Sequence, residues 1–71
     1  MQKKSYLKVN DYIGEKISKG ELKLGDKLPP ERDLAKTLDI SRNSIREGLR
    51  ILENMGVVKS QHGAGNFISP I

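Results

Sequence analysis

The sequence predicts a mainly α fold closed by a small β-hairpin, in the order helix, helix, turn, helix, hairpin. Three observations predict it. Apolar residues recur at helical spacing in three separate stretches. Residues that start and stop helices bracket those stretches. Beyond the third stretch, two short strand-like runs flank a glycine-rich tip.

The first helix is expected over residues 5–19, after a frayed start at residues 1–4. Tyr6, Val9, Ile13 and Ile17 recur at spacings of three and four, which marks one buried stripe. Gly20 follows in the position of a helix-ending glycine. Residues 21–28 form a connector with a tight turn at Gly25-Asp26, and Leu22, Leu24 and Leu28 are expected to point inward. Pro29-Pro30-Glu31 opens the second helix, because proline suits a first turn whose N–H groups lack helical partners. Glu31 there favours the positive helix end. Leu34, Ala35 and Leu38 form its buried stripe. Asp39-Ile40-Ser41 is a short turn, and Ser41 is a good N-cap. The third helix is expected over residues 42–55, ending at Gly56. The strand-like runs cover residues 57–61 and 65–69, joined by His62-Gly63-Ala64-Gly65 as a mobile tip.

At 71 residues the chain is one small domain, expected to occupy residues 1–71. It has no cysteine, so disulfides, Cys-based zinc sites and thiol nucleophiles are excluded. Its single histidine, His62, excludes a histidine-rich metal cluster. No catalytic residue, metal or cofactor is expected. No apolar run approaches the roughly 18 residues of a membrane span, and no signal-peptide pattern opens the chain. The expected compartment is the cytoplasm, with no membrane partner. The net charge is +4 and the isoelectric point about 9.6. That suits either an anionic partner or a lysine-rich solvated surface, so the placement of the basic residues decides.

The third helix carries most of the information. At about 100° per residue, with Arg42 at zero, Arg46 falls near 40° and Arg50 near 80°. Ile45, Leu49 and Leu52 fall between about 280° and 340°, with Met55 and Ile51 further round. One edge is thus a guanidinium stripe beside a broad apolar face. Glu47 is displaced from that stripe, within range of pairing with Arg50 or Arg46. Arginine offers two parallel donors that match guanine O6 and N7, or a phosphate, so this edge suits the major groove of DNA. The other reading is a surface salt-bridge face. Asn43 and Ser44 add short polar groups near the helix start, where bases or phosphates are met; for Ser44, plain helix-start chemistry is an equal reading.

The spacing of the last two helices adds to this. A turn that short holds one helix across the other, as in a helix-turn-helix, with the first bracing on the DNA backbone. Arg32, early in the bracing helix, either reaches a phosphate or base edge or pairs with Asp33 or Glu31. Lys59, Gln61 and His62 flank Gly63 and Gly65 at the hairpin tip, where a narrow polar loop suits a minor groove. On residue type alone, His62 reads more simply as a solvated loop residue.

Several blocks in fixed order resemble the GntR family of bacterial regulators. They are Leu28-Pro29-Pro30-Glu31-Arg32-Asp33-Leu34-Ala35, Ile40-Ser41-Arg42-Asn43-Ser44-Ile45-Arg46-Glu47-Gly48-Leu49, Leu52-Glu53, Gly56-Val57-Val58 and Gly63-Ala64-Gly65-Asn66-Phe67-Ile68. The third helix and the hairpin look most similar to the branch named after the fatty-acid regulator FadR. The resemblance implies a winged helix-turn-helix of three helices and a two-stranded wing. It implies binding to double-stranded DNA, at an inverted-repeat operator, as a homodimer. It also implies contacts from Arg32, Ser41, Arg42, Ser44 and Arg46, with His62 and Gly63 in the minor groove, which turns His62 from loop filler into a DNA contact. Asn43, Arg50 and Lys59 complete the expected DNA-binding set. Gly48 stands where the family usually has Ala, an expected cost of roughly 1 kcal/mol in helix stability. Asn66 stands where Thr is common. The family usually continues into a ligand-binding, dimerising domain, which is expected to lie outside these residues, and this domain alone is expected to be mainly monomeric.

Two other function classes compete. A winged helix can bind protein or RNA, but a protein-binding face would be more apolar, and single-stranded RNA favours exposed aromatics. An enzyme is disfavoured by the missing nucleophiles and the absence of a phosphate-binding glycine loop.

Overall fold

The computed structural model describes residues 5–61 and 63–69. The expected frayed start at residues 1–4 and the tip residue His62 lie outside the described residues. The described chain forms α1 (Ser5–Ser18), α2 (Glu31–Leu38), α3 (Arg42–Asn54), β1 (Val58–Gln61) and β2 (Gly65–Ile68). The two strands pair antiparallel with Val58 opposite Ile68 and Gln61 opposite Gly65. This is the expected winged helix-turn-helix, with each boundary within one or two residues of the sequence reading.

The helix ends follow one chemistry. At the end of α1, Gly20 N–H donates to the Ile17 carbonyl at 3.0 Å and Glu21 N–H to the Lys16 carbonyl at 2.9 Å. At the end of α3, Gly56 N–H donates to Glu53 at 3.0 Å and Val57 N–H to Leu52 at 2.9 Å. Both are Schellman closures with glycine in the left-handed region, at φ 77° and 81°. A variant ends α2, where Asp39 takes the left-handed position at φ 55° but donates four residues back instead of three. Asp39 and Ile40 N–H groups both donate to the Ala35 carbonyl. Aspartate tolerates this region better than most side chains, so the chain reverses here without a glycine. Pro30 is the N-cap of α2, one residue earlier than a first helical position, and its carbonyl accepts from Leu34 N–H at 3.0 Å.

The core consists of Val9 and Ile13 from α1, Leu28 from the connector, Leu34 from α2, Ile45, Leu49 and Leu52 from α3, and Val58 and Ile68 from the hairpin. Every element contributes to it, and Tyr12, Ile17, Leu22, Ala35, Leu38, Ile40 and Val57 pack around it. Leu24 departs from expectation: it is 68% exposed. It occupies the second position of a turn closed by Asp26 N–H on the Lys23 carbonyl at 2.9 Å. The carboxylate of Asp26 also accepts from Lys23 N–H at 2.8 Å. The turn breaks the alternation that links Leu22 to Leu28, and its outer side chain faces solvent.

α1 packs chiefly on α3, and Gly48 is the reason it can lie close. A Cβ at residue 48 would sit 2.7 Å from the Tyr6 carbonyl oxygen and 2.7 Å from the Val9 Cβ. The glycine read from sequence as a weak point of α3 is therefore the seat of α1.

The connector also does more than join helices. Leu28 N–H donates to the Asn66 carbonyl at 2.8 Å, Ile68 N–H to Asp26 at 2.8 Å and Gly25 N–H to Ile68 at 2.9 Å. A bridge pairs Lys27 with Phe67. The outer edge of β2 is thereby covered, which matters because a lone two-stranded hairpin is marginally stable.

Candidate nucleic-acid interface

Ser41 sets the start of α3. Its backbone is extended, and its hydroxyl accepts from Ser44 N–H at 3.1 Å. The Ser41 hydroxyl also bonds that of Ser44 at 3.1 Å. With the start fixed, rotation about the helix is fixed by burial of Ile45, Gly48, Leu49 and Leu52. Arg42, Asn43, Arg46 and Arg50 are then left exposed, as the helical angles require. Ser41 is exposed beside them, and Ser44 is half-buried in the cap.

The short turn after α2 brings Arg32 towards the same face. An open cleft of about 520 Å³ lies between the starts of α2 and α3 and the hairpin, lined by Lys27, Glu31, Arg32, Arg42 and Gly65 among others. A smaller hollow of about 150 Å³ lies between α3 and the hairpin, lined by Glu31, Arg46, Arg50, Ser60 and Asn66 among others. Arg32, Arg42, Arg46 and Arg50 are thus gathered along one side of the molecule, facing the wing across two hollows. Gly63 is exposed at the hairpin tip. Lys59 is exposed on β1, but Ser60 and Val58 turn towards α3, so strand alternation puts Lys59 on the other face of the hairpin.

Among the described residues, Arg32, Arg42, Arg50 and Lys59 make no ion pair, so Arg32 is not tied to Asp33 or Glu31. Arg46 does pair, with Glu31 and not with Glu47: its Nη2 lies 3.5 Å from Glu31 Oε1. Two further pairs sit at the far end of α1. A hydrogen bond from Lys16 Nζ at 2.7 Å, and then its charge, hold the Glu21 carboxyl below the usual carboxylate range. Lys19, 2.8 Å from Glu15, does the same to Glu15. Lys16 also lies 5.3 Å from the centre of the Tyr12 ring. Among the described residues no cluster of His, Cys, Asp or Glu is placed to hold a metal ion, and no helix is long and apolar enough to cross a membrane.

Sequence reasoning missed Lys27. Read as part of a connector, it had no evident position; only the pairing of Lys27 with Phe67 brings it beside the wing, where its Cε would lie 3.1 Å from a Cβ at Gly65. The one signal in the sequence is its place next to the buried Leu28, which in an extended segment puts its side chain on the outer face.

Comparison with known proteins places these features in a family. Residues 5–68 match the family described as bacterial regulatory proteins, gntR family. An uncharacterised HTH-type transcriptional regulator of Mycobacterium tuberculosis is 43% identical over 56 residues, covering 79% of this chain and 23% of the relative. A putative L-lactate dehydrogenase operon regulatory protein of Escherichia coli is 47% identical over 60 residues, covering 84% of this chain and 23% of the relative. The chain thus spans about a quarter of the length of these relatives, which are named as regulators of transcription and not as enzymes. Among solved structures, the DNA-binding domain of AraR in complex with operator ORR3 superposes with a TM-score of 0.89 at 28% identity, covering 97% of this chain and 83% of that one. With three helices, a wing and an arginine-lined third helix matched along nearly its whole described length, this chain belongs to the gntR family of bacterial regulatory proteins.

Proposed function

We propose that this chain is a sequence-specific reader of double-stranded DNA and serves as the DNA-binding part of a metabolite-responsive transcription regulator. The observation that carries this reading is the exposed row Arg42, Arg46 and Arg50 on a helix whose start is capped and whose opposite face is buried. In this reading α3 enters the major groove with Arg42, Asn43 and Arg46 at base edges. Ser41, Ser44, Arg32 and Arg50 meet the backbone beside it. The wing approaches the minor groove with His62 and Gly63, and Lys59 holds a phosphate by its long side chain. The operator complexes of the AraR domain support the reading by likeness of fold. The large apolar side chains exposed among the described residues are Leu24 and Met55, neither of them on the arginine row, so a protein-docking use of that row is disfavoured.

The proposal extends to the whole regulator. Effector binding and dimerisation belong to a domain outside these residues, the operator is an inverted repeat, and the site of action is the bacterial cytoplasm, where the chromosome lies. The FadR-like branch is the reading that the third helix and wing favour. The 71-residue domain alone is mainly monomeric, because its apolar side chains gather in one core and the large ones left exposed among the described residues are the scattered Leu24 and Met55; a tight dimer in sedimentation equilibrium without DNA would contradict this.

The decisive experiment is selection of random duplexes by an artificially dimerised form of the domain, followed by salt titration. An inverted repeat should emerge. If about four phosphates are neutralised per domain, log affinity of the single 71-residue domain should fall with log salt at a slope of about −3.6. A slope near zero and no enriched sequence would refute duplex reading.

A further inference from the structure

We propose that Glu31 is a positioning residue for base reading: it aims Arg46 and penalises binding to the wrong sequence. The inference rests on the DNA-reading role proposed above for α3. It starts from placement. Glu31 is the first residue of α2, fixed by that helix and by the preceding proline. Its carboxylate Oε1 accepts from Arg46 Nη2 of α3 at 3.5 Å, across the angle between the two helices. The Glu31 side chain is 28% exposed and that of Arg46 56%, so the acid is the better-anchored partner. It also lines both hollows of the basic face, the one holding Arg32 and Arg42 and the one holding Arg46 and Arg50.

Two physical effects follow. An arginine reads guanine through two parallel N–H bonds, so it discriminates only when its planar fork is held in one orientation. An unanchored Arg46 would satisfy any nearby phosphate. Held by one terminal nitrogen on a side chain that is otherwise exposed, Arg46 keeps its other donors available. The second effect is repulsion. A carboxylate set among four arginines opposes the approach of phosphates in general, and that penalty is offset only where the aimed guanidinium meets its base. Non-specific attraction is lowered more than specific binding, which raises the ratio between them.

The test uses the 71-residue chain, the duplex recovered by selection and a scrambled duplex of equal length. Glu31→Gln keeps the shape and removes the charge. It should lower the ratio of selected to scrambled affinity about tenfold, within the range of one bidentate arginine contact. Its affinity for scrambled DNA should rise, with a salt slope steeper by about 0.9. In an Arg46→Ala background the same substitution should leave the ratio unchanged. Asp33→Asn is the control, since Asp33 is the other acid of the first turn of α2. It changes net charge and helix-end electrostatics equally but should leave the ratio within about twofold, because it removes no base contact. Glu31→Asp keeps the charge while withdrawing the carboxylate by one methylene, and should fall between wild type and Glu31→Gln. That variant decides the matter should the glutamine variant fail to fold. An unchanged ratio in a folded Glu31→Gln or Glu31→Asp variant, or an equal loss in Asp33→Asn, overturns the inference while leaving DNA reading intact. Salt-independent or undetectable duplex binding by the wild type overturns the functional reading itself, and this inference with it.

Discussion

Replacing Gly48 with alanine sets helix propensity against packing, and the two predict opposite signs. Propensity alone says that alanine in the interior of α3 should stabilise the domain by about 0.8–1.0 kcal/mol. The structure says otherwise. The new methyl carbon would lie 2.7 Å from the Tyr6 carbonyl oxygen, 2.7 Å from Val9 Cβ and 2.9 Å from Val9 Cγ2. Ordinary contact between such atoms is about 3.5–4.0 Å. Relief therefore requires α1 to retreat by most of an ångström, because one obstacle is backbone and another is a Cβ that no rotamer change can move. Overpacking of this kind costs about 1–3 kcal/mol. Subtracting the propensity gain leaves a net loss of about 1 kcal/mol, a fall in Tm of about 4–8 °C for a domain this small. Thermal and urea denaturation followed by circular dichroism would measure it. A higher Tm for Gly48→Ala would show that α1 does not need the glycine.

Other expectations concern the interface and the helix ends. Arg42→Ala and Arg46→Ala should each weaken binding to selected DNA more than to scrambled DNA, whereas Lys59→Ala should weaken both alike and reduce the salt slope by about one unit; His62→Ala should fall between them. Equal losses on both DNAs for the two arginine variants would make those residues phosphate anchors only. Ser41→Ala removes the cap on Ser44 N–H and should cost about 1 kcal/mol in chemical denaturation; no change in stability would mean that water replaces the cap. Lys16→Met should raise the titration midpoint of Glu21, read by NMR of its carboxyl carbon. Because Lys16 lowers that midpoint in the folded chain, the pair supports folding above the ordinary carboxylate range, and its support is lost as pH falls through the depressed value. An unmoved midpoint would mean the exposed pair is not formed in solution.

The fold was legible where one element's own residues decide it. Gly20 and Gly56 announce helix ends because few other residues enter the left-handed region cheaply. Ser41 announces a helix start because its hydroxyl matches an orphan N–H. Angles around α3 sorted Arg42, Arg46 and Arg50 from Ile45, Leu49 and Leu52 because a helix has one period. What escaped depends on two elements at once. The partner of Arg46 is 15 positions away, so helical spacing offered Glu47 instead. Leu24 is expected inward with Leu22 and Leu28, and a turn closed by Asp26 on Lys23 sends it to solvent instead. The sign of the Gly48 effect depends on how near α1 lies, which no property of α3 reveals. Strand parity in β1 separates Lys59 from the arginine row, since its neighbours Val58 and Ser60 face α3.

The pairing of the connector with β2 has a consequence for the thermodynamics of engagement. Fixing one residue's backbone costs about 1–2 kcal/mol in lost conformational freedom. Were the hairpin a tether ordered only by contact with DNA, that entropy would be charged to association, residue by residue, along both strands. Here Gly25, Asp26 and Leu28 hold β2 by backbone hydrogen bonds from outside the hairpin, and Val58 and Ile68 are anchored in the core. The order of the strands is set during folding, when the hydrophobic core forms. Association then carries no ordering cost for the two strands, so a contact made by a strand residue contributes to affinity nearly in full.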